Sequence, residues 1–146
     1  MINAIIFDWI GTLYRRNTGL FEGVEELLKS LKPKYKLGLV SLAGQGIDNR
    51  RNDIKSTGIW DYFDSIRVDT SKDEEQFLRC IKEMNTLPRN TLIIGDRTIR
   101  EIKIGNKLGC QTYWIKNGDY ANQLPTQETG KPTKIITSVH DILKYL

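Results

Sequence analysis

The sequence predicts an α/β fold: a Rossmann-like, three-layer domain with a mainly parallel sheet of five or six strands and helices on both faces. Three observations carry this. Short apolar runs recur at residues 2–7, 36–41, 91–95 and 111–115, and near-continuous apolar runs of that length mark strands covered on both faces. Stretches with helical apolar spacing alternate with them, as crossovers between parallel strands require. No internal repeat, low-complexity segment or domain linker interrupts the pattern. With right-handed crossovers the expected strand order is 3-2-1-4-5, a sixth short strand extending it.

The elements follow in chain order. Residues 2–7, rich in Ile and Phe, form the first strand. Residues 8–20 lack periodicity and carry Gly11, Asn17 and Gly19, so they form a loop. Residues 22–32 put Val24, Leu27, Leu28 and Leu31 on one helical face, and Pro33 ends that helix. Residues 36–41 are the second strand. A weaker helix opens at Gly44 and Gly46 and stops near Gly58. The turn Ile59–Phe63 leads to a third strand at 65–69. Ser71 with Glu74 fits a capping box, and Asp73, Glu74 and Glu75 suit a helix's positive end. That helix runs to Met84 with Phe77, Ile81 and Met84 inward. Residues 91–95 form the fourth strand, 98–108 a helix stopped by Gly109, and 111–115 the fifth strand. Residues 117–133 are a long surface loop, Ile135–Ile136 a short edge strand, and 139–146 a closing helix.

The bulk numbers narrow the function classes. A chain of 146 residues with 39% apolar content fits one domain, spanning 1–146, with a sizeable core. No run approaches the ~20 apolar residues of a membrane span, and no basic segment leads an apolar stretch of signal-peptide length. The expectation is therefore a soluble, cytoplasmic protein. The net charge of +4 favours anionic ligands without singling out nucleic acid. Cys80 and Cys110 make no metal pattern and read as buried free thiols. His140, in the last helix, receives no catalytic role.

Four strand ends carry polar residues: Asp8, Ser41, Asp69 and Asp96. Parallel strands bring these ends to one edge, where open α/β sheets hold their ligands. Two carboxylates facing each other repel unless a cation lies between them, so Asp8 with Asp96 points to a hard divalent cation, most simply Mg²⁺. Each residue also has a plain reading by itself: Asp8 as a turn or cap acid, Ser41 as a strand-end hydroxyl, Lys72 as a solvated lysine, Gly95-Asp96 as a turn. Trp9 and Trp60 read as packing residues, and the pairs Arg15-Arg16 and Arg50-Arg51 as solvated. Arg97 and Arg100 flank Asp96, where they can meet an anionic substrate.

The order and spacing of these groups resemble the haloacid dehalogenase (HAD) superfamily over nearly the whole chain. Asp8-Trp9-Ile10-Gly11-Thr12 is similar to its first motif, Asp-x-Asp-Gly-Thr; Leu39-Val40-Ser41 to the second; Lys72, with a one-residue gap, to the third; Gly95-Asp96 with Glu101 to the fourth. The resemblance implies that Asp8 is the nucleophile of a phosphatase-type phosphoryl transfer through an aspartyl-phosphate. Mg²⁺ would be held by Asp8, the Ile10 backbone carbonyl and Asp96. Glu101 would act from behind these ligands, holding a water on the metal or orienting Lys72. Ser41 and Lys72 would bind phosphoryl oxygens, and Gly11, Thr12 and Arg97 would meet the substrate.

Ile10 departs from the family pattern. The Asp usually found there protonates the leaving oxygen and then activates water, help worth ~10²–10⁴ in rate. Ordinary monoesters should therefore react slowly, and acyl or aryl phosphates should suffer least. Phosphonatases and haloacid dehalogenases also lack that acid, but both carry an inserted cap. Here about 14 residues separate Asp8 from the first helix and about 30 separate Ser41 from Lys72, so neither gap holds one. The implied protein is a capless member with an open site. Its substrate would be phosphorylated and possibly macromolecular, or a second subunit of a homo-oligomer would complete the site. The alternative that Ile10 raises is a non-catalytic phosphate-binding or scaffold protein on the same fold. Nucleic-acid processing rests only on charge and the open site.

Overall fold

Alternation along the first strand decides how the layers pack. In the computed structural model, which describes residues 1–146, Ile5 and Phe7 of β1 (Ala4–Phe7) join the larger core on one face of the sheet. Ala4 and Ile6 join a smaller core on the other. On the larger side lie α1 (Val24–Leu31), with Val24, Leu27, Leu28 and Leu31 inward, and α2 (Ile47–Ser56), with Ile54 inward. On the other side lie α3 (Glu74–Glu83), with Phe77, Cys80 and Ile81 inward, and α4 (Lys103–Leu108), with Ile104 inward. This is the expected three-layer arrangement, and Cys80 and Cys110 are buried free thiols within it.

The sheet contains β4 (Lys36–Leu42), β5 (Ser65–Asp69), β6 (Thr91–Gly95), β7 (Gln111–Ile115) and β8 (Lys134–Ile136) besides β1. It runs β5-β4-β1-β6-β7-β8 with every pairing parallel. Counting sheet strands alone, this is the order 3-2-1-4-5-6. β1 is central, so Asp8 emerges between the ends of β4 and β6. No helix is long and apolar enough to cross a membrane.

Several local expectations are corrected. Residues 8–20 are not simply a loop. A tight turn on the Trp9 carbonyl is followed by an antiparallel hairpin of β2 (Tyr14–Arg15) and β3 (Gly19–Leu20). Two-residue strands are too short to show a period. The capping box of α3 is Asp73 with Gln76 rather than Ser71 with Glu74, because the Asp73 carboxylate accepts from Glu75 N–H at 3.0 Å and Gln76 Oε1 accepts from Asp73 N–H at 2.9 Å. The helix after β6 starts as a π-turn, Thr98–Ile102, before becoming α4. The closing helix is a 3₁₀ segment, Val139–Lys144, capped by Ser138. The first strand begins at Ala4 rather than Ile2.

Candidate active site

Burial sets the character of the floor of the site. The Lys72 side chain is 2% exposed, and its Nζ donates to Asp8 Oδ1 at 2.6 Å. The same Nζ lies 3.4 Å from Glu101 Oε2, an ion pair but not a hydrogen bond. Asp8, Asp96 and Glu101 each bring a carboxylate oxygen within 4.8 Å of the others. Three elements meet in one cluster: the end of β1 carries Asp8, the end of β6 carries Asp96, and the loop after β5 delivers Lys72 just ahead of α3.

Two glycines make this closeness possible. At Gly11, φ is +85°, and a Cβ would sit 2.1 Å from Asp96 Oδ2. Only glycine combines that backbone with that approach. At Gly95 a Cβ would sit 2.3 Å from Glu101 Cγ. The π-turn turns Glu101 back over that bare strand end, in keeping with the frequent use of such turns at functional sites. Trp114 Nε1, on β7, donates to the Asp96 carbonyl at 3.0 Å and fixes the end of β6 from beside it.

The electrostatics follow from the packing. Burial, then the charge of Asp8, pushes the Asp96 carboxyl well above its ordinary range. Burial does the same to Glu101, against the pull of Lys72 and with the help of Asp8 and Asp96. Burial alone would lower Lys72, but the charges of Asp8 and Glu101, with the hydrogen bond to Asp8, raise it. Three carboxylates against one ammonium leave two negative charges when all are ionised. The donors are all oxygens, and both Glu101 oxygens are buried without a hydrogen bond. An oxygen-only, doubly negative cluster with orphaned acceptors suits a hard dication such as Mg²⁺.

Above this floor opens a cleft of about 750 Å³. Asp8, Ile10, Gly11, Thr12, Ser41, Asp96 and Arg97 all line it, whereas Lys72 and Glu101 lie beneath its lining. Lys72 therefore meets Asp8 directly rather than the open cleft. The Thr12 hydroxyl is buried without a partner. Asp69 is not among the lining residues; it pairs with Arg67 at 3.7 Å along β5. Trp9 is fully buried and stacks on Tyr14 with ring centroids 4.8 Å apart, a packing residue as expected. Trp60 is half-buried, with Arg51 and Lys55 each 5.0 Å from its ring.

Arg50 corrects the sequence reading. It is not solvated: its Nη1 donates to Ser41 Oγ at 2.6 Å and to the Leu42 carbonyl at 3.0 Å, and it lines the cleft. It sits in the first turn of the helix that follows β4, which sets it over that strand's end. The helix-after-strand spacing held that signal, but the weak amphipathicity of α2 hid its orientation. His140 also lines the cleft, with Nδ1 3.2 Å from Ser138 Oγ.

An acid at the end of the central parallel strand, a second acid on its neighbour and a buried lysine between them define an α/β architecture with its candidate site at the C-terminal edge of the sheet. The family model for haloacid dehalogenase-like hydrolases matches residues 1–115, and the chain belongs to that family. A HAD phosphatase from Thermococcus onnurineus superposes with a TM-score of 0.78 at 17% identity, over 98% of this chain and 97% of that one. A HAD-superfamily hydrolase from Ehrlichia chaffeensis gives 0.70 at 19% identity, over 99% and 97%. The HAD-hydrolase YfnB from Bacillus subtilis, bound to magnesium, gives 0.72 at 22% identity, over 86% of this chain and 55% of that one. No curated protein matches the sequence.

Proposed function

We propose that the protein is a capless, Mg²⁺-dependent HAD hydrolase of the phosphatase type, with residues 1–146 forming one core domain. The observation that carries this is the buried cluster of Asp8, Asp96, Glu101 and Lys72 at the C-terminal edge of the sheet. The short hairpin after β1 and the single helix between β4 and β5 support the capless reading, as does the near-complete mutual coverage with the Thermococcus phosphatase.

Asp8 attacks phosphorus: its oxygen forms the new P–O bond while the bond to the leaving oxygen breaks and that oxygen departs with the electron pair. Water then attacks phosphorus and gives up its proton to solvent or to the released phosphate, since Ile10 cannot take it; the P–O bond to Asp8 breaks and Asp8 leaves as a carboxylate. Lys72, bonded to Asp8, offsets the carboxylate's charge and aims it. Ser41 and Arg50 hold phosphoryl oxygens, and Gly11, Thr12 and Arg97 border the substrate. Asp8, Asp96 and the Ile10 backbone carbonyl would hold Mg²⁺, with Glu101 behind them. When bound, the ion supplies positive charge against the phosphoryl oxygens and relieves repulsion among the carboxylates. Ile10 offers no proton, so the reaction favours leaving groups that need none.

The test is turnover of acetyl phosphate and p-nitrophenyl phosphate, with and without Mg²⁺, by the wild type, Asp8→Asn and Ile10→Asp. Turnover that needs Asp8 and metal supports the reading; metal-dependent turnover retained by Asp8→Asn would reject it. Ile10 favours one second reading, a phosphate-binding protein without turnover, which predicts Mg²⁺ and phosphate binding but no product from any of the three.

A further inference from the structure

The arginines of this chain are unevenly spread. Of nine in the sequence, five (Arg15, Arg16, Arg50, Arg97 and Arg100) line the one cleft above Asp8. None of the thirteen lysines lines it. None of these five arginines has a carboxylate within 4.0 Å, although Glu22 and Asp119 also border the cleft. Like charges gathered without partners repel. Burial lowers the Arg50 guanidinium below its ordinary value; Asp8 pulls the other way, and the like charge of Arg16 adds to the lowering. Arg16 and Arg50, from separate elements, therefore share one field.

Two of the five are also held in place. Arg50 is tied to Ser41 and to the Leu42 carbonyl. Arg97 stacks on Tyr120, its guanidinium carbon 4.2 Å from the ring centroid, and its Nε is buried with no hydrogen bond. A stacked guanidinium keeps its edge free for a planar, paired contact, the geometry that suits phosphate oxygens and that lysine cannot offer. One transferred phosphoryl group at Asp8 already has Lys72, Arg50 and the cation site beside it. Arg15 and Arg16 on the hairpin, with Arg97 just before the π-turn and Arg100 within it, exceed what that group can use.

We propose that the cleft binds phosphate monoesters whose leaving group carries a second phosphate-type anion, with Arg97 and Arg16 as its principal contacts. The inference rests on the phosphatase reading and names its substrate class. It is tested on ligands that cannot be hydrolysed, so that binding is read apart from turnover. Calorimetry at fixed free Mg²⁺ compares propane-1,3-diphosphonate with propylphosphonate on the wild type, Arg97→Ala, Arg16→Ala and Arg89→Ala. Arg89 lies outside the cleft and controls for lost net charge. The wild type is expected to prefer the diphosphonate at least about tenfold, the scale of one charge-assisted contact. Arg97→Ala and Arg16→Ala should each cut that preference at least threefold, and Arg89→Ala should leave it unchanged. A wild-type preference under twofold, or an equal loss in Arg89→Ala, would overturn the proposal. A preserved preference without turnover of any phosphate ester would remove the hydrolase reading alone; turnover without the preference would remove this inference alone.

Discussion

The floor and the walls of the cleft are built on different terms. On the floor every group is buried and fixed: Lys72 on Asp8 at 2.6 Å, Glu101 packed over a bare Gly95, Asp96 against a bare Gly11. The walls carry exposed arginines on a two-strand hairpin and half-buried ones at and just before a turn. The difference separates two tasks. Holding charges of one sign within a few ångströms needs a rigid, desolvated frame. Receiving varied leaving groups needs long side chains that reach. Chemistry should therefore break sharply on floor substitutions and gradually on wall ones.

The largest effect is expected on the floor itself. Asp8→Asn should lose metal-dependent turnover of acetyl phosphate by 10³-fold or more, on the order seen when a nucleophile is removed; steady-state rates check it. Ile10→Asp should raise turnover of an alkyl phosphate by roughly 10²–10⁴, with a smaller gain on acetyl phosphate, whose leaving group needs no proton. Comparable gains on both substrates would mean that Ile10 limits the site in another way. Gly95→Ala forces a methyl against Glu101 and should cost about 1–3 kcal/mol of stability, read as a shift in the denaturation midpoint. Gly19→Ala on the hairpin, where a Cβ meets nothing within 4 Å, should cost less despite its positive φ. The smallest effect belongs to the packed core. Burial pushes the Cys80 and Cys110 thiols to about 12. Iodoacetamide at pH 8 should thus leave both unmodified in the folded protein, and alkylation at the rate of a free thiol would show that the α3 layer opens.

The same contrast explains what was readable beforehand. Six strand positions and their order follow from apolar runs and crossover handedness, both short-range rules. The acids Asp8 and Asp96 follow because a strand end in a parallel sheet has only one place to be. Glu101 was visible as a spacing, but not the π-turn that folds it over Gly95, since that register change leaves no trace in apolar periodicity. Asp73 displaced Ser71 as the α3 cap because both are good caps two residues apart, and only backbone geometry chooses between them. Arg50 escaped because a pair of adjacent arginines reads as solvent-facing, while its partner Ser41 lies nine residues back on another element.

The bond from the Trp114 indole to the Asp96 carbonyl has an optical consequence. A buried indole whose N–H is committed to the backbone of Asp96, one of the three clustered acids, emits according to the electric field around it. A dication in the doubly negative pocket would cancel that net charge, so the field a few ångströms away would fall sharply on filling. Trp114 is thus a built-in dye, and the protein needs no label for its occupancy to be followed through changes in its own ultraviolet emission.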